Sequence, residues 1–273
     1  MTTSMTSIPP GEAEQVVPPA PGQIAVQATP RFRPRGVVGY LFMPVLLGAA
    51  LLALYLWIQG QELGSTEMRL INAENIRSSL IRHLQLTVVS TVLVLLISIP
   101  VGIILTRPLL GRITQPAIAV FNIGQALPTI GILALFAIVW DIGFWPVIAA
   151  LVAYTVLPVL RNTMVGLQQV DPSVIESARG MGMTRRAVLL RIELPLAVPI
   201  LMAGVRTALV INVATVTLAT FVAGGGLGDI ISGGFSTGRD TVIIVGAVLT
   251  AVTALLVDYL GGIAENVLRP KGL

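Results

Sequence analysis

A polytopic bundle of membrane-spanning α-helices is the fold class the sequence predicts, and three observations predict it. Of 273 residues, 55% are apolar and only 11% are charged, where soluble domains carry about a quarter charged residues. The mean hydropathy is +0.89. Six apolar runs, each near the roughly 20 residues needed to cross a bilayer core, occupy 37–58, 84–106, 116–139, 142–160, 196–222 and 241–264. Together these exclude a soluble enzyme, a nucleic-acid binder and a disordered scaffold. The net charge of +4 does not reverse that: 16 of the 17 cations are Arg, and they are scattered along the chain rather than gathered in one stripe.

The residue inventory removes most chemistries. There is no cysteine, so neither a thiolate nucleophile nor a Cys-ligated metal is available. The single lysine, Lys271, is followed by Gly272 near the C-terminus, which is not the Gly-Lys-Ser/Thr of a phosphate loop. One histidine, His83, makes no His-based metal cluster. No catalytic residue, metal ligand or cofactor site is predicted in this chain.

Taken in order, residues 1–35 hold seven of the 18 prolines with abundant Ser, Thr and Gln. They read as a disordered tail. The first apolar run follows Arg31, Arg33 and Arg35 and is too long for a cleaved leader, so 36–58 reads as an uncleaved first span. Runs three and four are separated by Trp140-Asp141 and predict a tight hairpin flanked by interfacial aromatics. Pro100, Pro128, Pro158 and Pro199 predict kinks at intermediate depth. Residues 266–273 read as a short cytoplasmic tail.

Charge sets the expected orientation. With the N-terminus in the cytoplasm, six spans return the C-terminus there. Arg31, Arg33, Arg35, Arg107, Arg112, Arg161, Arg179, Arg185, Arg186, Arg191, Arg269 and Lys271 then lie inside, against Arg69, Arg77, Arg82 and Arg239 outside.

One connection stands apart. Residues 161–195 form a long cytoplasmic segment that reads as two short helices. Asp171 caps the first, with Pro172 at its first position; Gly180 and Gly182 end it; Thr184 caps the second; Pro195 opens the next span. A compact hairpin of this kind reads as a docking element for a soluble partner. Glu176 and Arg179 are three apart and can pair on the helix surface, and small residues around them let another backbone approach closely.

The segment Glu176-Ser177-Ala178-Arg179-Gly180-Met181-Gly182, followed after nine residues by Ile192-Glu193-Leu194-Pro195, resembles the signature of permease subunits of binding-protein-dependent ABC importers. Spacing is complete, and Ser177 is the one departure. The resemblance covers about residues 75–265. It implies a five-span permease core carrying a coupling hairpin at 171–195, preceded here by one additional N-terminal span. Two ATPase subunits would dock at that hairpin, an extracytoplasmic binding protein would deliver solute, and a second permease, identical or paralogous, would complete the pore in a bacterial inner membrane. The motifs His83-Leu84-Gln85-Leu86-Thr87, Gln125-Ala126-Leu127-Pro128, Leu157-Pro158-Val159-Leu160-Arg161-Asn162-Thr163, Asp171-Pro172 and Gly224-Gly225-Gly226-Leu227-Gly228-Asp229 are similar to the osmoprotectant branch, which imports glycine betaine, carnitine, choline or proline betaine. Some are also similar to methionine permeases. From a different class, a secondary transporter or a membrane scaffold remains as an alternative.

Other residues carry weaker signals. Arg206 lies about 15 Å into the fifth span, and Asp258 on the sixth is at similar depth. A structural ion pair is the favoured reading over a solute site. Gly224, Gly225, Gly226, Gly228 and Asp229 form either a simple turn or a candidate contact for the binding protein. Tyr40, Tyr55, Trp57, Trp140, Trp145 and Tyr259 fall near span ends and only Tyr154 is well inside one, which argues against an aromatic cage for a quaternary amine within the chain. His83 reads as a capping or packing residue.

Overall fold

The computed structural model describes residues 37–268, and among these every regular element is helical. The predicted tail at 1–35, with Arg31, Arg33 and Arg35, lies outside the described residues, as do Arg269 and Lys271. Helix α1 (Val37–Gln59) is followed by the short α2 (Ser65–Leu70) and by α3 (Ala73–Leu105), which Asn72 caps by accepting from Asn75 N–H at 2.8 Å. At 33 residues α3 is about 50 Å long. It therefore exceeds the hydrocarbon thickness, and it begins well before residue 84, where the second predicted run started. Its first turns carry the polar residues Glu74, Arg77 and Ser78.

The third predicted run, 116–139, is not one helix. It comprises α4 (Gly111–Ala126) and α5 (Thr129–Val139), bent by 96° at the break. Pro128 lacks an N–H and pushes Leu127 into extended backbone (φ −77°, ψ 141°). The helices pass unbroken through Pro100, Pro158 and Pro199, and α4 passes unbroken through Pro116; among these prolines the chain breaks only at Leu127-Pro128. Among the described residues five helices are long and apolar enough to cross a membrane, and the bent pair supplies a sixth crossing only if it counts as one.

Helix α6 (Phe144–Gln168) also differs from expectation. It continues past residue 160, because Thr163, Met164, Gly166 and Leu167 are buried and extend its packed stripe. Arg161 thus sits inside α6 rather than in a loop. After α7 (Pro172–Gly180), the chain runs through α8 (Arg185–Val188), a π-helical turn (Leu189–Glu193) and α9 (Leu194–Val216). Residues Arg185–Val222 form one apolar rod in place of a separate short helix and span. The rod tightens into a 3₁₀ turn (Thr217–Val222), followed by α10 (Leu227–Thr237) and α11 (Asp240–Leu268), which takes in three residues of the predicted tail.

The core is built where α3, α6 and α9 pack together. Small residues let the backbones close, as membrane helices require. Gly102 lies against Thr163, Gly166 against Ala197, and Gly204 against Asn162. Polar bonds add register: Ser98 Oγ donates to Val156 O at 2.9 Å, and Asn212 Nδ2 donates to Thr91 Oγ1 at 3.0 Å. Helix α11 packs against α9 and α10, and α1 lies outside on α11, where Tyr259 Oη donates to Tyr40 O at 2.8 Å. The start of α1, the ends of α3 and α6, and the α7–α8 hairpin therefore share one end of the bundle.

Candidate functional site

The α7–α8 hairpin is assembled by local bonds that its sequence specifies. The Asp171 carboxylate accepts the Ser173 N–H at 2.8 Å. That bond, together with the Ser173 side chain, holds its pKa below the usual carboxylate range. Pro172 occupies the first helical position, where no N–H is needed. Helix α7 ends at Gly180, and Gly182 turns the chain at φ +84°, with Gly182 N–H donating to Arg179 O (2.9 Å) and Met183 N–H to Ala178 O (3.1 Å). Thr184 Oγ1 accepts from Ala187 N–H at 3.3 Å and starts α8.

What this hairpin presents is as informative as how it is built. Ala178 is buried, while Glu176, Ser177, Arg179, Gly180 and Gly182 are exposed. A Cβ added at Gly180 or Gly182 would meet nothing within 4 Å, so no neighbour in this chain needs these positions to be small. Apolar Val174 and Met181 are exposed beside them, Met181 at 76%. Among the described residues no ion pair joins Glu176 to Arg179.

The C-terminal part of the motif is wired into the bundle. Ile192, Leu194 and Pro195 are half-buried. Pro195 cannot donate to the carbonyl four residues back, and the backbone answers with a π-turn in which Leu194 N–H donates to Leu189 O. Glu193 is buried and receives Arg107, with Nη2 to Oε2 at 2.8 Å. Arg107 follows α3 directly, so this pair ties the hairpin's exit to a second core helix. The sequence reading passed over it. An acid beside Pro195 in an apolar flank was the available signal, but its partner lies 86 residues away.

The other candidates are placed as follows. Arg206 Nη2 lies 2.8 Å from Asp258 Oδ1, and its Nη1 lies 3.3 Å from Glu265 Oε2. Asp258 and Glu265 are seven apart on one face of α11, and Gly261 and Gly262 between them make room for the arginine. Glu265 was not anticipated. Gly224, Gly226 and Gly228 are buried: a Cβ at Gly224 would press on Ala219 and Val147, one at Gly226 on His83, and one at Gly228 on the Thr217 carbonyl. Gly225 (φ +83°) lies against Arg82, whose Nε donates to Gly224 O at 2.9 Å. Of this motif only Asp229 is exposed and Gly225 half-exposed. His83 is fully buried; Nε2 donates to Val213 O at 3.0 Å and Nδ1 accepts from Leu227 N–H at 3.3 Å, which binds α3 to α9 and α10.

Membrane-length helices around a close-packed core, with a short helical hairpin at one end, describe a multi-pass membrane protein. The chain belongs to the family described as binding-protein-dependent transport system inner membrane component, whose model matches residues 98–271. It is 40% identical over 191 residues to the choline transport system permease protein OpuBB of Bacillus subtilis, covering 70% of this chain and 87% of that protein. It is equally similar, with the same coverage, to the glycine betaine/carnitine/choline transport system permease protein OpuCB of that organism. Among solved structures, an inward-facing form of the MetNI methionine ABC transporter superposes with a TM-score of 0.65 at 23% identity, covering 76% of this chain and all of the matched chain. At that identity the likeness concerns the fold.

Proposed function

We propose that this chain is the pore-forming permease subunit of an ATP-driven importer for osmoprotectants: glycine betaine, carnitine, choline or proline betaine. The observation that carries the coupling role is the exposed hairpin with Gly180 and Gly182 open to approach. Two ATPase subunits dock there, one on each of two permease chains, and a binding protein delivers solute at the opposite end. Arg107, Arg112, Arg179, Arg185, Arg186 and Arg191 crowd the hairpin end, against Arg69, Arg77, Arg82 and Arg239 at the other, which supports a cytoplasmic hairpin and cytoplasmic termini.

Coupling follows from stiffness. The hairpin continues into α9 as a rod, and Glu193–Arg107 anchors it to α3, so displacement of α7 by closing ATPases moves α9 against α6 without being absorbed in a loop. Closure opens the pore toward the binding protein, and hydrolysis resets it. The same electrostatics argue against an ion-driven transporter, because Asp258, the carboxylate within the sixth apolar run, is engaged by Arg206. Reconstitution with the cognate ATPase and binding protein tests the proposal: uptake of glycine betaine or choline should require ATP and binding protein. Uptake driven by a proton or sodium gradient alone would defeat it.

A further inference from the structure

Arg161 is a cation within the last third of a membrane-length helix. It lies in α6 seven residues before the helix ends, roughly 10 Å inside, and is exposed in the single chain. Among the described residues no carboxylate pairs with it; its Nη2 donates to Asn122 Oδ1 of α4 at 2.8 Å. The direction of reach is informative. Ala117, Ile118 and Phe121 of α4 pack on Leu157, Leu160 and Met164, while Gly124 lies against the Ala153 carbonyl. Asn122 is therefore displaced from Arg161 toward the middle of α6. The guanidinium reaches inward instead of snorkelling to the near interface. An intramembrane cation so held faces water or a counter-charge, not lipid.

The break in α4 supplies the complementary sign. Four residues beyond Asn122, roughly 6 Å along the axis, α4 ends at Ala126. Its last carbonyls lack onward helical donors, since Pro128 has no N–H, and they carry the negative end of the helix dipole. A cationic and an anionic-natured locus one helical turn apart match a small zwitterion in length and polarity. Glycine betaine and carnitine carry a carboxylate beside a quaternary ammonium; choline carries only the ammonium and a hydroxyl.

We infer that Arg161 and Asn122 form a low-affinity carboxylate-binding subsite on the translocation path, with the C-terminal carbonyls of α4 facing the solute's quaternary ammonium group. Asn122 occupies one of the five guanidinium N–H donors and fixes its plane, and the remaining donors take the carboxylate. The subsite favours betaines over choline during passage. It rests on the osmoprotectant reading above.

The test uses the complete complex in proteoliposomes, with binding protein saturated by labelled glycine betaine or choline. Arg161→Gln should lower the betaine-to-choline uptake ratio about tenfold, the loss of one charged hydrogen bond, and Arg161→Lys should restore part of it. An unchanged ratio in Arg161→Gln overturns the subsite, as does a wild-type complex that carries choline and not betaine. A wild-type complex carrying neither solute overturns the osmoprotectant reading itself. Because the chain has no cysteine, Arg161→Cys introduces a single thiol. An anionic, membrane-impermeant thiol reagent should modify it in the assembled complex, with protection by glycine betaine. Leu96→Cys, at an exposed apolar position on α3, should stay unmodified. Failure to label position 161 overturns the placement on the path.

Discussion

At the residue scale, asymmetric burial makes the Arg107–Glu193 pair directional. Glu193 is 6% exposed by side chain and Arg107 is 35% exposed. Arg107→Ala strands a buried carboxylate, whereas Glu193→Ala leaves a cation that water still reaches. The first should destabilise the purified complex by on the order of 2 kcal/mol and the second by less, with the double variant resembling Glu193→Ala. Thermal melting of the four proteins measures this cycle. Asp171 gives a pH prediction. Its folded pKa is held down by the Ser173 amide, so its capping contribution is complete above the ordinary carboxylate range and is lost as pH falls through the folded value. Protection of the Ser173 and Val174 amides from hydrogen exchange should fall in acid, and Asp171→Asn, which caps without titrating, should flatten that dependence. Sequence spacing made Asp171, Thr184 and Gly182 legible because caps and turns act within four residues. It left Glu193–Arg107 and Glu265 unread because their partners are brought by packing.

At the element scale, two glycines separate folding from docking. A Cβ at Gly124 would enter the Ala153 carbonyl, while one at Gly180 would meet nothing. Gly124→Ala should therefore destabilise the permease by roughly 1–3 kcal/mol, seen as a lower melting temperature. Gly180→Trp should leave melting unchanged yet reduce co-purification with the ATPase; undiminished ATPase retention and coupled uptake would remove the docking role. The six apolar runs were legible as helices from length alone. A kink at Pro128 was legible too, but not that it becomes a 96° break, since Pro128 has the same local signature as Pro100, Pro158 and Pro199. Pro116 lies inside α4 without ending it, although α4 buries no residue, so burial alone does not mark the break; the chain turns where Leu127 is held in extended backbone before Pro128. The continuity of α8 with α9 was hidden for the opposite reason: a π-turn absorbs Pro195 where the sequence suggests a stop.

At the scale of the whole molecule, α1 is peripheral. Only 6% of its apolar window is buried, and it packs against α11 alongside the Tyr259–Tyr40 bond. A chain beginning at residue 61 should still assemble with its ATPase and support ATP-dependent uptake, measured in proteoliposomes; loss of assembly would make α1 part of the working core. The sequence by itself determined that the protein is a helical membrane bundle, because a low charge content and 20-residue apolar runs leave no other way to satisfy backbone polar groups in lipid. It also made legible the hairpin at which we propose a partner docks, because that motif is local and nearly self-contained. The sequence offered Asp258 as a partner for Arg206, but only the tertiary structure decided the remaining charge pairings. Arg206 is matched by Asp258 and Glu265, and Glu193 by Arg107, whereas Arg161 is left with an amide. Its side chain is directed by the path of a broken neighbouring helix, which depends on burial summed over many residues and on no single spacing.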